Sequence, residues 1–259
     1  VWARCGSIYD SNCDGSNDNP NLSSTDNRLL VPESKISDTA NYRYFYEGWY
    51  IVREDVNIYN TMGSKEFTPA YTGGLWRSNN EQTFVSGAAI DRWVNPVNPG
   101  PGNMSSEVVL TDGRLKVAVR TKLLGNGRTR YDYAVMNLDY VSAQLETLSP
   151  LNVRMLGRAG ISGFSVPATQ ASVSNISVID GSASIADWTF ANSGNIVFTT
   201  PSQAAEIGWS SLYSFSFEAN AAAVAGKVAL SGRGLANPVL VDLLVPGAGN
   251  TGEFFNGFE

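Results

Sequence analysis

The chain has 259 residues, of which 43% are hydrophobic and only 16% charged, so it can bury a sizeable core. The formal net charge is −6, and the 18 Lys and Arg residues are scattered without a basic stripe, which argues against nucleic acid or an anionic membrane as partner. There is no histidine, which removes Ser-His-Asp triads, Cys-His pairs and His-ligated metals.

The chain opens on Val1, as expected of an exported protein whose signal has been cleaved. Residues 1–40 are rich in Asp, Asn and Ser and carry no strand or helix period. Cys5 and Cys13 are the only cysteines; without His or further Cys they cannot complete a zinc site from thiolates and imidazoles. A local disulfide is expected, restraining its loop by about 2.5 kcal/mol and pointing to an oxidising compartment. Overlapping it, Asp10-Ser-Asn12-Cys-Asp14-Gly15-Ser-Asn-Asp18 has the alternation of a calcium loop, in which side chains at every second position converge on one cation. Asn21 stands where a helix-flanked hand carries its bidentate Glu, so the pattern is closer to the shorter calcium repeats of extracellular proteins. Ca2+ bound by Asp10, Asn12, Asp14 and Asp18 is one expectation and a metal-free polar loop the other; neither haem nor nucleotide is expected.

From Tyr42 to Val52 the sequence turns strongly β-prone and aromatic. Strand alternation sets Tyr42, Tyr44, Tyr46 and Tyr50 on one face and Phe45, Trp49 and Ile51 on the other. Such a row stacks on sugars or is buried between layers. Trp2, Trp76 and Trp93 read as loop residues that line a glycan site or anchor their loops. Residues 57–104 read as irregular, with a long loop at Asn95–Asn103.

Glu107–Thr111, Arg114–Leu123 and Arg128–Leu138 are separated by Asp112-Gly113 and Asn126-Gly127, the strongest short hairpin signals, and predict a three-strand meander. Leu115, Val117 and Val119 alternate with Lys116, Ala118 and Arg120, the pattern of one buried face. Short runs then recur: Leu151–Leu156, Ile161–Val166, Asn175–Ile179, Ala186–Phe190, Ile196–Thr200, Leu212–Ala219, Lys227–Gly232 and Val239–Val245. Strands this regular with no helical period predict an all-β fold, an antiparallel β-sandwich of jelly-roll or Greek-key type or two packed sandwiches. The expected division is a polar segment over 1–40, a β body over 41–248 with a sub-boundary near 145–160, and a tail over 249–259. The longest apolar runs, Ala221–Ala225 and Val239–Val245, are too short for a bilayer.

Chemistry-bearing groups are few. Glu47, Glu54 and Asp55 are candidates for a glycosidase carboxylate pair, with solvated surface charge the alternative. Gly125-Asn-Gly127 reads as a turn, since no helix follows to make a phosphate loop.

VAVRTKLLGNGRTRYDYAVMN, over Val117–Asn137, resembles a segment recurring in uncharacterised secreted bacterial β-proteins, where a strand, a Gly-Asn-Gly turn and a "YxYAVxN" strand occur together. Ala205–Ala219, AEIGWSSLYSFSFEA, is similar to their "WGTLYxFxFxA" strand and Val241–Gly247 to their closing strand, while Tyr46–Arg53 with Asn57–Gly63 is a weaker match to an "EGQYV" region. The resemblance implies secretion and β architecture and no activity. Glu253–Glu259 resembles the "IFxxGFE" ending of exported bacterial proteins, and its Phe254, Phe255 and Phe258 are expected to dock in a groove of their own domain or of a neighbouring copy.

These readings together lead to the expectation of a non-enzymatic structural or interaction protein of the cell exterior, self-associating into a filament or surface layer. The alternatives are a carbohydrate-binding module, with Tyr42, Tyr44, Tyr46, Trp49, Trp76 and Trp93 as glycan or partner contacts, and a carboxylate-dependent glycosidase.

Overall fold

The structure is a computed structural model that describes residues 31–50, 57–145, 155–180 and 188–247. Cys5, Cys13, Asp10, Asn12, Asp14, Asp18, Trp2, Ile51, Glu54, Asp55, Phe254, Phe255 and Phe258 lie outside the described residues, and with them the disulfide, calcium and tail-docking expectations. The described chain divides into two compact units, residues 31–93 and residues 94–247.

The first unit contains β1 (Tyr44–Trp49), β2 (Met62–Thr72), β3 (Leu75–Asn79), β4 (Val85–Ser86) and the single-turn helix α1 (Ile90–Trp93). β2 pairs antiparallel with β1 over Met62–Phe67, with β3 over Thr68–Thr72, and with β4 at Gly63 and Ser64. The expectation of irregular chain over 57–104 holds for the loop at Asn95–Asn103, which reaches the first residue of β5, but not before it: this stretch holds the eleven-residue β2 and its hairpin to β3. Gly73 and Gly74 make that hairpin turn at φ +63° and +77°, a pair of left-handed residues only glycine adopts cheaply. The strand is hard to read because β2 lacks a clean polar–apolar alternation and contains Pro69, which cannot donate to a ladder; β1 ends opposite Phe67, before that proline.

The second unit contains β5 (Asn103–Leu110), β6 (Gly113–Leu123), β7 (Thr129–Asn137), β8 (Ser142–Leu145), β9 (Met155–Ala159), β10 (Ile161–Pro167), β11 (Val173–Ile179), β12 (Thr189–Asn192), β13 (Asn195–Thr199), β14 (Ser211–Ala219), β15 (Ala223–Gly232) and β16 (Val239–Pro246). A front sheet has the order β11-β14-β7-β6-β5 and a back sheet the order β12-β13-β10-β15-β16; β8 and β9 form a separate ladder. All pairings are antiparallel, and the fold is all-β, as the turn-punctuated strand pattern predicts.

The sandwich core comes from inward-facing alternate residues of both sheets. Tyr131, Tyr133, Phe215 and Phe217 of the front sheet meet Phe164 and Phe198 of the back sheet, all fully buried. Ring centroids lie 5.0 Å apart for Phe164–Phe215, 4.9 Å for Phe198–Phe215 and 5.3 Å for Tyr133–Phe164. Each such side chain contributes about 1.5–3 kcal/mol through burial. The edge strands β5 and β16 are joined by the Ser106 hydroxyl, which donates to the Asp242 carbonyl at 2.6 Å.

The one-faced reading of β6 needs correction. Lys116 and Ala118 are buried like Leu115, Val117 and Val119. Lys116 tolerates this because its ammonium reaches within 3.9 Å of Glu107, its register partner on β5.

Candidate functional site

The aromatic residues singled out in the first unit do not share one face. Tyr44 and Tyr46 lie on the face of β1 that meets Phe67, with ring centroids 6.2 and 5.5 Å away and both tilted 49°. Phe45 and Trp49 alternate to the other face. Phe45 lies under two guanidinium groups, Arg43 at 5.1 Å and Arg92 at 5.3 Å, and both arginines pair with Glu66, at 2.6 and 3.9 Å. Trp76 is half-buried; its indole donates to Glu33 at 2.9 Å and its ring tilts 57° to Tyr71. Trp93 is half-buried at the end of α1. Tyr42, Tyr46 and Tyr50 are the exposed members, at 66%, 42% and 82%.

Glu47 is occupied structurally. One carboxylate oxygen accepts from the Trp49 indole at 2.6 Å and the other from the Ala89 backbone N–H, just ahead of α1. Its proposed carboxylate partners lie outside the described residues. Among the described residues, no group of three or more Cys, Asp or Glu side chains is placed to hold a metal ion.

The second unit has a cleft of about 570 Å³, within the range of small-ligand sites, formed where the core face of β14 runs out of apolar residues. The face that buries Phe217 and Phe215 continues to Tyr213 and Ser211, which line the cleft, and the preceding Trp209 stands at its rim, 39% exposed. A second hollow of about 270 Å³, reaching Ser142, Arg233 and Gly234, shares Arg158, Ala159 and Gln203 with the first. Gln203 donates from Nε2 to the Arg158 carbonyl between the two.

Glu206 is the one acidic residue lining the cleft, and its side chain is only 2% exposed. One oxygen accepts from the Gly160 N–H at 2.8 Å and the other from Arg233 Nε at 2.5 Å, while Arg233 also donates to the Pro201 carbonyl at 2.7 Å. Its charge is therefore compensated from within the fold. Arg158 is exposed, and its guanidinium has no carboxylate partner among the described residues.

Tyr140, also in the wall, is 1% exposed, and its hydroxyl has no hydrogen-bond partner among the described residues. Burial raises its pKa, and the negative charges of Asp112 and Glu206 raise it further, so the group stays a neutral donor. Its backbone is held rigidly. Asn137, fully buried at the end of β7, accepts from Tyr140 N at 2.9 Å and donates to Tyr140 O at 2.9 Å and Ile207 O at 3.0 Å. The β5–β6 turn closes on the same segment: a Cβ on Gly113 (φ +134°) would lie 2.5 Å from Asp139 O and from Tyr140 N.

Sequence reasoning did not single out Trp209, Arg158, Tyr140 or Glu206. The one usable signal was a tryptophan just outside an aromatic strand, beside Ser210 at a left-handed φ of +59°. The converging partners come from segments up to 70 residues apart, which no local pattern reveals. Compared with protein-family models, with curated proteins and with solved structures, the chain matches none.

Proposed function

We propose that the chain is a structural or interaction protein of the cell exterior that associates with copies of itself, and that the elementary contact is the edge of β1. The observation that carries this reading is an open aromatic edge. Among the described residues β1 is hydrogen-bonded to β2 alone, and it contains neither Lys nor Pro to blunt pairing. Tyr42, Tyr46 and Tyr50 are spaced by four on one face and exposed. Antiparallel pairing of two β1 strands about a twofold axis at Tyr46 sets Tyr46 against Tyr46 and Tyr42 against Tyr50, a self-complementary ladder. The exterior setting is supported by the resemblance to secreted β-proteins and by the Cys5/Cys13 pair. Growth into a filament or surface layer needs a second, heterologous contact, for which Phe254, Phe255 and Phe258 of the closing stretch are the candidates.

The test is light scattering coupled to size exclusion across a concentration series, with electron microscopy of the concentrated sample. Dimers or larger species are expected for the unaltered chain. A monomer is expected for Tyr46→Lys, with circular dichroism unchanged. A chain that stays monomeric at its highest soluble concentration removes the proposal.

A further inference from the structure

The cleft of the second unit has the composition of a ligand site rather than of a packing defect. Its walls combine Trp209, a partly exposed aromatic face; Arg158, a cation without a carboxylate partner among the described residues; and Tyr140, a buried hydroxyl donor without an acceptor among them. A buried hydroxyl is seldom left unpaired, because it has lost water without gaining a partner. Glu206, already held by Arg233 and Gly160, adds no free negative charge, so among the described residues the uncompensated charge at the site is the Arg158 cation, in a chain of net charge −6. An anion is therefore favoured. The aromatic face and the shortage of apolar lining favour a ring with C–H groups on one side and hydroxyls around it.

We propose that this cleft binds a carboxylated pyranose of a glycan. The sugar's C–H face lies on Trp209, its carboxylate pairs with Arg158, and a ring or hydroxyl oxygen accepts from Tyr140. Arginine suits the role because its planar fork matches a carboxylate with two parallel N–H donors. The adjoining hollow past Arg158 toward Arg233 and Gly234 leaves room for a neighbouring sugar unit.

Titration of the whole chain with trigalacturonate, sialyllactose and neutral maltotriose, followed by tryptophan fluorescence and calorimetry, tests this. One of the two acidic sugars is expected to bind with a fluorescence change, and which one does so identifies its source as a uronate or a sialate. Arg158→Ala is expected to weaken that binding about tenfold or more, and Trp209→Ala to abolish the fluorescence change. Tyr140→Phe is expected to weaken it severalfold while the fold is retained. Arg158 is exposed, so its variant reports on binding even if Trp209→Ala does not fold. Failure of both acidic sugars to bind, equal binding of maltotriose, or unchanged affinity in Arg158→Ala overturns the proposal.

Discussion

The hydroxyl of Tyr133 donates to the carbonyl of Leu244 at 2.8 Å, so a side chain of the front sheet reaches across the core to the backbone of β16 in the back sheet. Tyr131, two residues earlier on the same face, makes the matching bond to Ala221 at 2.9 Å. The two tyrosines of the YDYAVMN stretch thus tie the sandwich together, with their rings buried and their polar tips satisfied.

Tyr133→Phe keeps the ring and removes the donor, leaving the Leu244 carbonyl without this bond in the core. The expected loss is about 1–3 kcal/mol. At about 2–4 °C per kcal/mol for a domain of this size, it should appear as a clear fall in Tm by calorimetry.

Alkaline pH should weaken the same tie. Burial raises Tyr131 from the ordinary 10.0 to about 12, and pushes Tyr133 well above its ordinary value. The unfolded chain therefore releases these protons first. Their contribution to stability is complete below pH 10.0 and is lost as pH rises through about 12. Denaturant melts as a function of pH should show this decline, and Tyr131→Phe should make it shallower.

Glu206 and Arg233 are paired, yet their substitution should not be symmetric. The glutamate side chain is 2% exposed and the arginine 49%. Arg233→Ala strands a buried carboxylate and should cost about 3–5 kcal/mol. Glu206→Gln leaves an arginine that water can reach and should cost less. Urea midpoints of the two variants decide this, and equal losses would contradict it.

Asn137 has all of its amide chemistry committed inside the protein, to Tyr140 and Ile207. Asn137→Leu should cost about 3 kcal/mol, since it orphans both the N–H and the carbonyl of Tyr140 and leaves the Ile207 carbonyl only the Ile161 N–H. Asn137→Asp should be worse, because it also buries a charge beside two carbonyls. Expression level and Tm against the unaltered chain check both.

The Arg43–Glu66 bridge is short at 2.6 Å, but Arg43 is 64% exposed. Arg43→Ala should change stability by less than about 1 kcal/mol, and the small effect should shrink further at high salt.

Much of the second unit is legible residue by residue. Asp112-Gly113 and Asn126-Gly127 correctly mark the turns of the β5–β6–β7 meander, because those dipeptides accept the left-handed backbone a tight hairpin needs. Ile161–Val166, Leu212–Ala219 and Val239–Val245 fall on strands, and Ile196–Thr200 does so up to Thr199. The β2–β3 hairpin escapes because its turn signal, Gly73-Gly74, is flanked by strands without a buried face to impose alternation.

The amino-acid sequence by itself determined the class: frequent turn dipeptides and period-two runs leave an all-β chain, and these are local properties of composition and backbone preference. Only the tertiary structure decided which strands adjoin. β7 takes β14 as its second neighbour and β10 lies between β13 and β15, pairings set by how two sheets share one core. The cleft is decided at the same level. Tyr140, Arg158, Glu206 and Trp209 are unremarkable where they stand in the chain, and acquire a common surface only because long-range strand pairing ends the apolar core beside them.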